Sequence, residues 1–324
     1  MAQLVKLLDY ISRYENDLSR YPTQFIRLKK SQWERMRFQW ENGTDLSVLE
    51  TEDEETGDIP EDRKWFSPIL RLFNRKQEPE DEQLEEQEAD AEEEFDFQPN
   101  LVQRPNDMAH MRKLYLDQLF HFQIKWASST LLDKSRVDAR FFRDTFLREL
   151  TLQLPDSYLL FYYPIVKVKK APVELDIILL TPIECMCLTV VEKEDAAVFI
   201  GESDRFWLKK FGDQEAKLLN PTIGLNRMEK IITGLFAREG IDFPVRKYIV
   251  SRNGYIDYPG SPYDIRAIDR RSFPDWFNGL AQSTTPMKFN QFKAAQAILD
   301  IGQTTAMSRL LESFEQPEEQ DEEE

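Results

Sequence analysis

The chain has 324 residues, 41% of them hydrophobic, and a formal net charge of −17 at neutral pH. That length suits one substantial core with added elements or two modest domains, and the hydrophobic share excludes a wholly disordered chain. The charge is unevenly placed: residues 78–96 hold twelve acids and no Lys or Arg, residues 315–324 hold seven more, and setting these aside leaves +2.

In chain order, Leu4, Leu7, Leu8, Ile11 and Tyr14 recur at helical spacing and predict a first helix over residues 2–19. A break at Tyr21-Pro22, with Thr23 as N-cap, predicts a second helix that stops near Asn42-Gly43. Residues 1–45 are therefore expected to form a helical hairpin. Residues 46–104 read as an acidic disordered linker, because such runs cannot bury enough apolar surface to offset chain entropy. The linker is interrupted at 64–76 by a basic-aromatic island containing Trp65, Phe66, Ile69, Leu70 and Phe73 with Lys64, Arg71, Arg75 and Lys76. That island reads as packing on the hairpin, docking on a protein partner, or peripheral contact with a membrane.

Asn106 or Asp107 caps a long predicted helix, and Asp133 or Ser135 starts another that ends before Pro155. The period then changes. "SYLLFYYPIVKVKK", "VELDIILL", "ECMCLTVVEK" and "AAVFIG" are rich in β-branched and aromatic residues and read as strands, with "RFWLKKF" as a further one. A helix follows Asn220-Pro221, "VRKYIVS" is another strand, and a segment near "FPDWFNGLA" precedes a final helix from Lys288 to about Ser313. This order predicts an α/β sandwich with a mixed central sheet over residues 105–314, followed by an acidic tail.

Cys185 and Cys187, two residues apart on one strand face, suit neither a disulfide nor a zinc site and read as reduced, buried thiols. His110 and His121 lie on one predicted helix and read as ordinary helix-face residues. No apolar run is long enough for a signal peptide or approaches the roughly 20 residues of a membrane span. The expectation is a cytoplasmic protein without a transmembrane segment.

Residues from about 140 to 250 resemble the nuclease-related domain, a bacterial branch of the restriction-endonuclease-like superfamily. The features that carry the resemblance are a helix bearing Asp144 or Glu149, then "LPDSY", "VELDIILLTP" and a second strand, then "RFWLKK" and "NPTIGLNRMEKI", in which Asn220 and Asn226 occupy the family's polar positions. The resemblance implies a strand-turn-strand hairpin that presents acids to one or two Mg²⁺ ions, with a Lys that stabilises developing charge. The family's first acid matches Asp176. Aligned through Pro182, its Glu and Lys fall at Thr189 and Val191.

Neither substitute supplies the chemistry: Thr offers one neutral hydroxyl and Val offers nothing to a hard cation. A slipped register does not restore it, since side chains alternate along a strand. Glu192 then points to the opposite face, and Lys193 lies about 6.6 Å further along. Asp176 alone also reads as a strand-end acid paired with Lys167, Lys169 or another base.

Three functions follow. The first is a catalytically inactive member of the fold that binds or regulates a protein partner, with no cofactor. The second is an active Mg²⁺-dependent nuclease with a displaced site built from Asp144 or Glu149, Asp176, Glu192 and Lys193. The third is nucleic-acid binding without cleavage through bases such as Lys167, Lys169, Lys170, Lys209, Lys210, Arg246, Lys247, Arg270 and Arg271. Residues 133–314 hold 25 basic and 24 acidic residues, a weak electrostatic basis for phosphate binding.

Overall fold

The structure is a computed structural model that describes residues 1–42, 97, 99, 105–130, 133–169, 171–202, 205–260 and 262–305. The basic-aromatic island with Trp65 and Phe66, most of the acidic linker and the acidic tail lie outside the described residues. The chain divides into two units: Met1–Lys29 with Leu116–Glu324, and Lys30–Tyr115.

In the larger unit the expected first helix is replaced by a strand, β1 (Gln3–Leu7), followed by a 3-10 turn at Arg13–Glu15. All five residues of β1 are buried, including Lys6, whose Nζ donates to Tyr10 O and Thr304 Oγ1, both at 2.7 Å. Five successive buried positions leave no polar helical face, and pairing within the sheet decides the local structure. The helix that follows, α1 (Arg20–Glu41), begins earlier than Thr23, with Pro22 in its first turn where a missing N–H costs nothing. The hairpin over residues 1–45 is thus corrected to a sheet strand and one helix.

The next helices are α2 (Met108–Trp126), α3 (Ala139–Arg143) and α4 (Thr145–Gln153). The single helix expected from Asp133 or Ser135 is instead two pieces. Asp138 caps α3, and Asp144 interrupts the run by taking an extended backbone and accepting from the N–H groups of Phe146 and Leu147. That is the ordinary competition of an Asp side chain with helical backbone bonding.

After α4 come eight strands, β2 (Leu159–Tyr162), β3 (Ile165–Val168), β4 (Ala171–Glu174), β5 (Ile177–Leu180), β6 (Cys185–Val190), β7 (Val198–Ile200), β8 (Phe206–Phe211) and β9 (Gln214–Leu219), then α5 (Pro221–Arg238) and β10 (Val245–Val250). Two short strands, β11 (Tyr255–Asp257) and β12 (Ile265–Ile268), and two helices, α6 (Phe273–Ala281) and α7 (Phe289–Asp300), complete the described chain. The strands β9, β11 and β12 had no sequence expectation, and α7 stops at Asp300 rather than near Ser313.

Six strands form a mixed sheet in the order β1-β2-β5-β6-β10-β12. Strand β5 runs antiparallel to both of its neighbours, β2 and β6, while β1 runs parallel to β2 and β10 runs parallel to both β6 and β12. Side-chain alternation divides the sheet into two faces. Leu160, Tyr162, Ile177, Leu179, Met186, Leu188, Tyr248 and Val250 pack in one cluster with Phe120, Phe141, Phe146, Leu147 and Leu150 of the preceding helices and with Phe273 and Phe277 of α6. Phe161, Ile178, Cys187 and Lys247 lie in one row on the other face, where α5 packs on β6 and β10 and α7 reaches β5. The protein is a mixed α/β structure with helices on both faces of its main sheet.

A second sheet, β11-β7-β8-β9, and a two-stranded ribbon, β3-β4, extend from this frame. In the smaller unit, Trp33 and Phe97 both pack on Tyr115, with ring centroids 5.2 and 5.9 Å away.

Candidate functional site

The hairpin β5–β6 fixes the geometry around Asp176. Ile177 pairs with Leu188, so one residue further out Asp176 stands opposite Thr189. The Thr189 hydroxyl donates to Asp176 Oδ2 at 2.5 Å. Asn220 caps α5 by accepting from the Thr222 N–H at 3.0 Å, and Pro221 opens the helix. This places Gly224 beside the carboxylate: a Cβ added there would stand 3.9 Å from Asp176 Oδ2. Burial raises the Asp176 pKa, while the Thr189 hydrogen bond and the positive charge of Arg227 pull the other way. Of the bases expected near Asp176, the charge that acts on it is that of Arg227, another base than Lys167 or Lys169, and its hydrogen-bond donor is Thr189.

Val191 is buried, and its N–H donates to Val250 O at 2.9 Å. Glu192 turns to the opposite face, as alternation requires. There Arg252 Nε donates to Glu192 Oε1 at 2.6 Å, its Nη2 to Glu192 Oε2 at 2.7 Å, and its Nη1 to Glu149 Oε2 at 3.1 Å. The guanidinium also lies 4.7 Å from the centroid of the Phe146 ring. Lys193 is exposed, and its carbonyl accepts from Asn253 Nδ2 at 2.8 Å.

Asp144 is fully engaged: Oδ1 caps α4, and Oδ2 accepts from the Tyr162 hydroxyl at 2.7 Å. Of the residues proposed for a displaced site, Glu149 and Glu192 meet on Arg252, Asp144 is taken up by its cap and by Tyr162, and Asp176 is held by Thr189. Tyr163 stands among several of them, with a left-handed φ of 51°. Its phenol is pushed up to about 12, first by burial and then by the charges of Asp176, Asp144, Glu174 and Glu192.

The residues at the positions where the resemblance would imply a metal do not fit Mg²⁺. That ion takes hard oxygen ligands in near-octahedral geometry. Here the second position is a hydroxyl whose proton is already given to Asp176, and the third is a buried aliphatic chain. Among the described residues no group of three or more His, Cys, Asp or Glu side chains is arranged to hold a metal.

Several of the other predicted positions have local partners, whereas Lys167, Lys169 and Arg246 are exposed. Asn226 Oδ1 accepts from Lys247 Nζ at 2.8 Å, and Lys247 also pairs with Asp264 at 2.6 Å. Cys185 and Cys187 are free thiols, fully buried, and burial pushes Cys185 well up. His121 packs on Phe142 with ring centroids 5.4 Å apart, and His110 Nδ1 accepts from the Asn106 N–H at 3.4 Å. Of the candidate phosphate-binding bases, Lys209 pairs with Glu194, Lys210 with Glu215, Arg270 with Asp195 and Arg271 with Asp269. Lys170 lies outside the described residues.

Sequence reasoning missed Tyr163, Arg227 and Arg252. Tyr163 precedes Pro164, a step that favours extended backbone and gave no hint of a left-handed φ, and Arg252 is separated from Glu149 by 103 positions.

No family model matches the chain, and no solved structure matches it. Over 124 residues the chain is 36% identical to an RNA 2',3'-cyclic phosphodiesterase of Geobacillus stearothermophilus, a likeness that covers 38% of this chain and 36% of that protein. The chain thus spans about a third of the length of this curated relative. No helix of the described residues is long and apolar enough to cross a membrane.

Proposed function

We propose that this protein is a catalytically inactive member of the nuclease-related, restriction-endonuclease-like group and acts by binding a protein partner in the cell. The observation that carries the reading is the 2.5 Å hydrogen bond from Thr189 to Asp176, made where the family's hairpin would hold a second acid. A carboxylate engaged by a neighbouring hydroxyl and an aliphatic Val191 supply neither the ligand set nor the Lys cation that metal-dependent cleavage of the nuclease type needs. The internal pairing of Lys209, Lys210, Lys247, Arg270 and Arg271 favours a protein partner over nucleic acid.

The test is incubation of DNA and RNA with the full chain in Mg²⁺ or Mn²⁺, beside Asp176→Ala. The expected result is no cleavage that depends on Asp176; metal-dependent cutting lost in Asp176→Ala would overturn the reading. A second reading, hydrolysis of RNA 2',3'-cyclic phosphates, has the partial likeness to the Geobacillus protein in its favour. Turnover of a 2',3'-cyclic nucleotide end by the same preparation would favour it.

A further inference from the structure

The second sheet ends in a strand whose outer side pairs with no strand among the described residues: β9 closes the order β11-β7-β8-β9. Its register with β8 is unbroken from Phe211↔Gln214 to Phe206↔Leu219. The two-residue loop between them starts at Gly212, at φ +55°, as a type II′ turn requires. In such a hairpin the closing pair shares its backbone hydrogen bonds, so Gln214, Ala216 and Leu218 turn their N–H and C=O groups toward β8. Glu215, Lys217 and Leu219 therefore present theirs to solvent. Residues 214–217 and Leu219 are exposed.

An unpaired edge of this kind is a template for another strand, and natural proteins commonly blunt it with a charge such as Lys217. Here the charge does not blunt the edge toward every partner. Glu215 and Lys217 flank Ala216 symmetrically and share one face of the strand. An antiparallel copy centred on Ala216 brings Glu215 opposite the partner's Lys217 and Lys217 opposite the partner's Glu215. Opposite charges directly across a strand pair stabilise it, and like charges oppose it. Registers centred on Glu215 or on Lys217 would set like charges against each other.

We propose that the outer edge of β9 is a self-recognition surface, at which a second copy of this chain pairs antiparallel about Ala216 and joins two four-stranded sheets into one. The occupant is identified by charge complementarity and by the outward backbone groups, which in this register fall in Glu215–Lys217 pairs that exchange both hydrogen bonds. Lys210, which pairs with Glu215 in its own chain at 2.7 Å, extends the ion pair into a short network. Leu219 and Phe206, exposed by 54% and 44% and directly paired on the same face, add apolar surface beside the edge. The inference is independent of the reading of the Asp176 site.

Sedimentation velocity of the full chain over a concentration series, at about physiological ionic strength where charges more than ~8 Å away are screened, tests it. The expected result is a concentration-dependent dimer that is lost in Lys217→Glu and in Glu215→Lys measured separately. It should return when the two variants are mixed in equal amounts, because each then faces the opposite charge pattern. Unchanged circular dichroism of the variants shows that the fold is kept. As a second readout, Ala216→Cys should form a covalent dimer on mild oxidation, because the two Cα atoms of a non-hydrogen-bonded pair lie about 4.5 Å apart. The native thiols are buried and do not compete. A monomer throughout the series, single variants that dimerise like the parent, or a mixture that fails to restore the dimer would each overturn the proposal.

Discussion

Asp176 and Arg252 stand at the same end of one sheet, on opposite faces, and their surroundings handle charge in different ways. Arg252 is held by two carboxylates, Glu192 and Glu149, with all three side chains about a fifth exposed. Its guanidinium pKa is held up by those partners against burial. Asp176 has one hydroxyl donor and the more distant charge of Arg227, so burial dominates and its pKa rises. A single residue of strand parity separates a satisfied structural ion pair from an underfurnished acid. Alternation sends Glu192 to Arg252 and Glu149, on the face of the strand opposite Asp176.

The largest effect expected from breaking this contrast is at Arg252. Arg252→Ala leaves two partly buried carboxylates without their cation and should cost about 3 kcal/mol, the low end for a broken buried pair. Arg252→Lys should recover only part of this, since an ammonium cannot span both carboxylates as a planar fork does. Denaturant unfolding measures both, and a loss below about 0.5 kcal/mol, the range of ordinary surface substitutions, would remove Arg252 from the account.

Next in size is Thr189→Val, which keeps the shape and removes the donor. Leaving Asp176 without that hydrogen bond should cost about 1–3 kcal/mol and raise the carboxyl pKa further, read by carbon-13 titration of the side-chain carboxyl. An unmoved titration would show that the hydroxyl does not engage the acid in solution.

The smallest effect concerns pH. Because the folded pKa of Asp176 lies above its ordinary value of 3.8, the native state keeps a proton that the unfolded chain has lost. Stability therefore falls as pH rises through the interval between the two values, and the cost persists at neutral pH. Asp176→Asn should remove that cost while still accepting from Thr189. The difference in melting temperature, variant minus parent, should be more positive at neutral pH than below 3.8, by a few degrees at most. A difference that runs the other way would mean that Arg227 and Thr189 outweigh burial.

The hairpin was legible because its information is local. The strands β5 and β6, the turn at Thr181-Pro182 and the placing of Thr189 opposite Asp176 all follow from alternation counted along a few residues. The helix after Asn220-Pro221 was equally legible, since the cap is made within the same segment. What failed was non-local. Leu4, Leu7, Leu8 and Ile11 have helical spacing, yet β1 is fixed by pairing with β2, far along the chain. Strand β9, "QEAKLL", carries no β-branched residue and is held by its hairpin partner rather than by propensity. The parity of Glu192 could be read, but its partner Arg252 could not, because it lies 60 positions further along the chain.

Metal binding at Asp176 tests the central claim most directly. Manganese titrated into the full chain and followed by electron paramagnetic resonance reports free and bound ion without requiring turnover. The same titration is expected for the parent and for Asp176→Ala, whatever weak surface binding both share. A bound population present in the parent and lost in Asp176→Ala would contradict it.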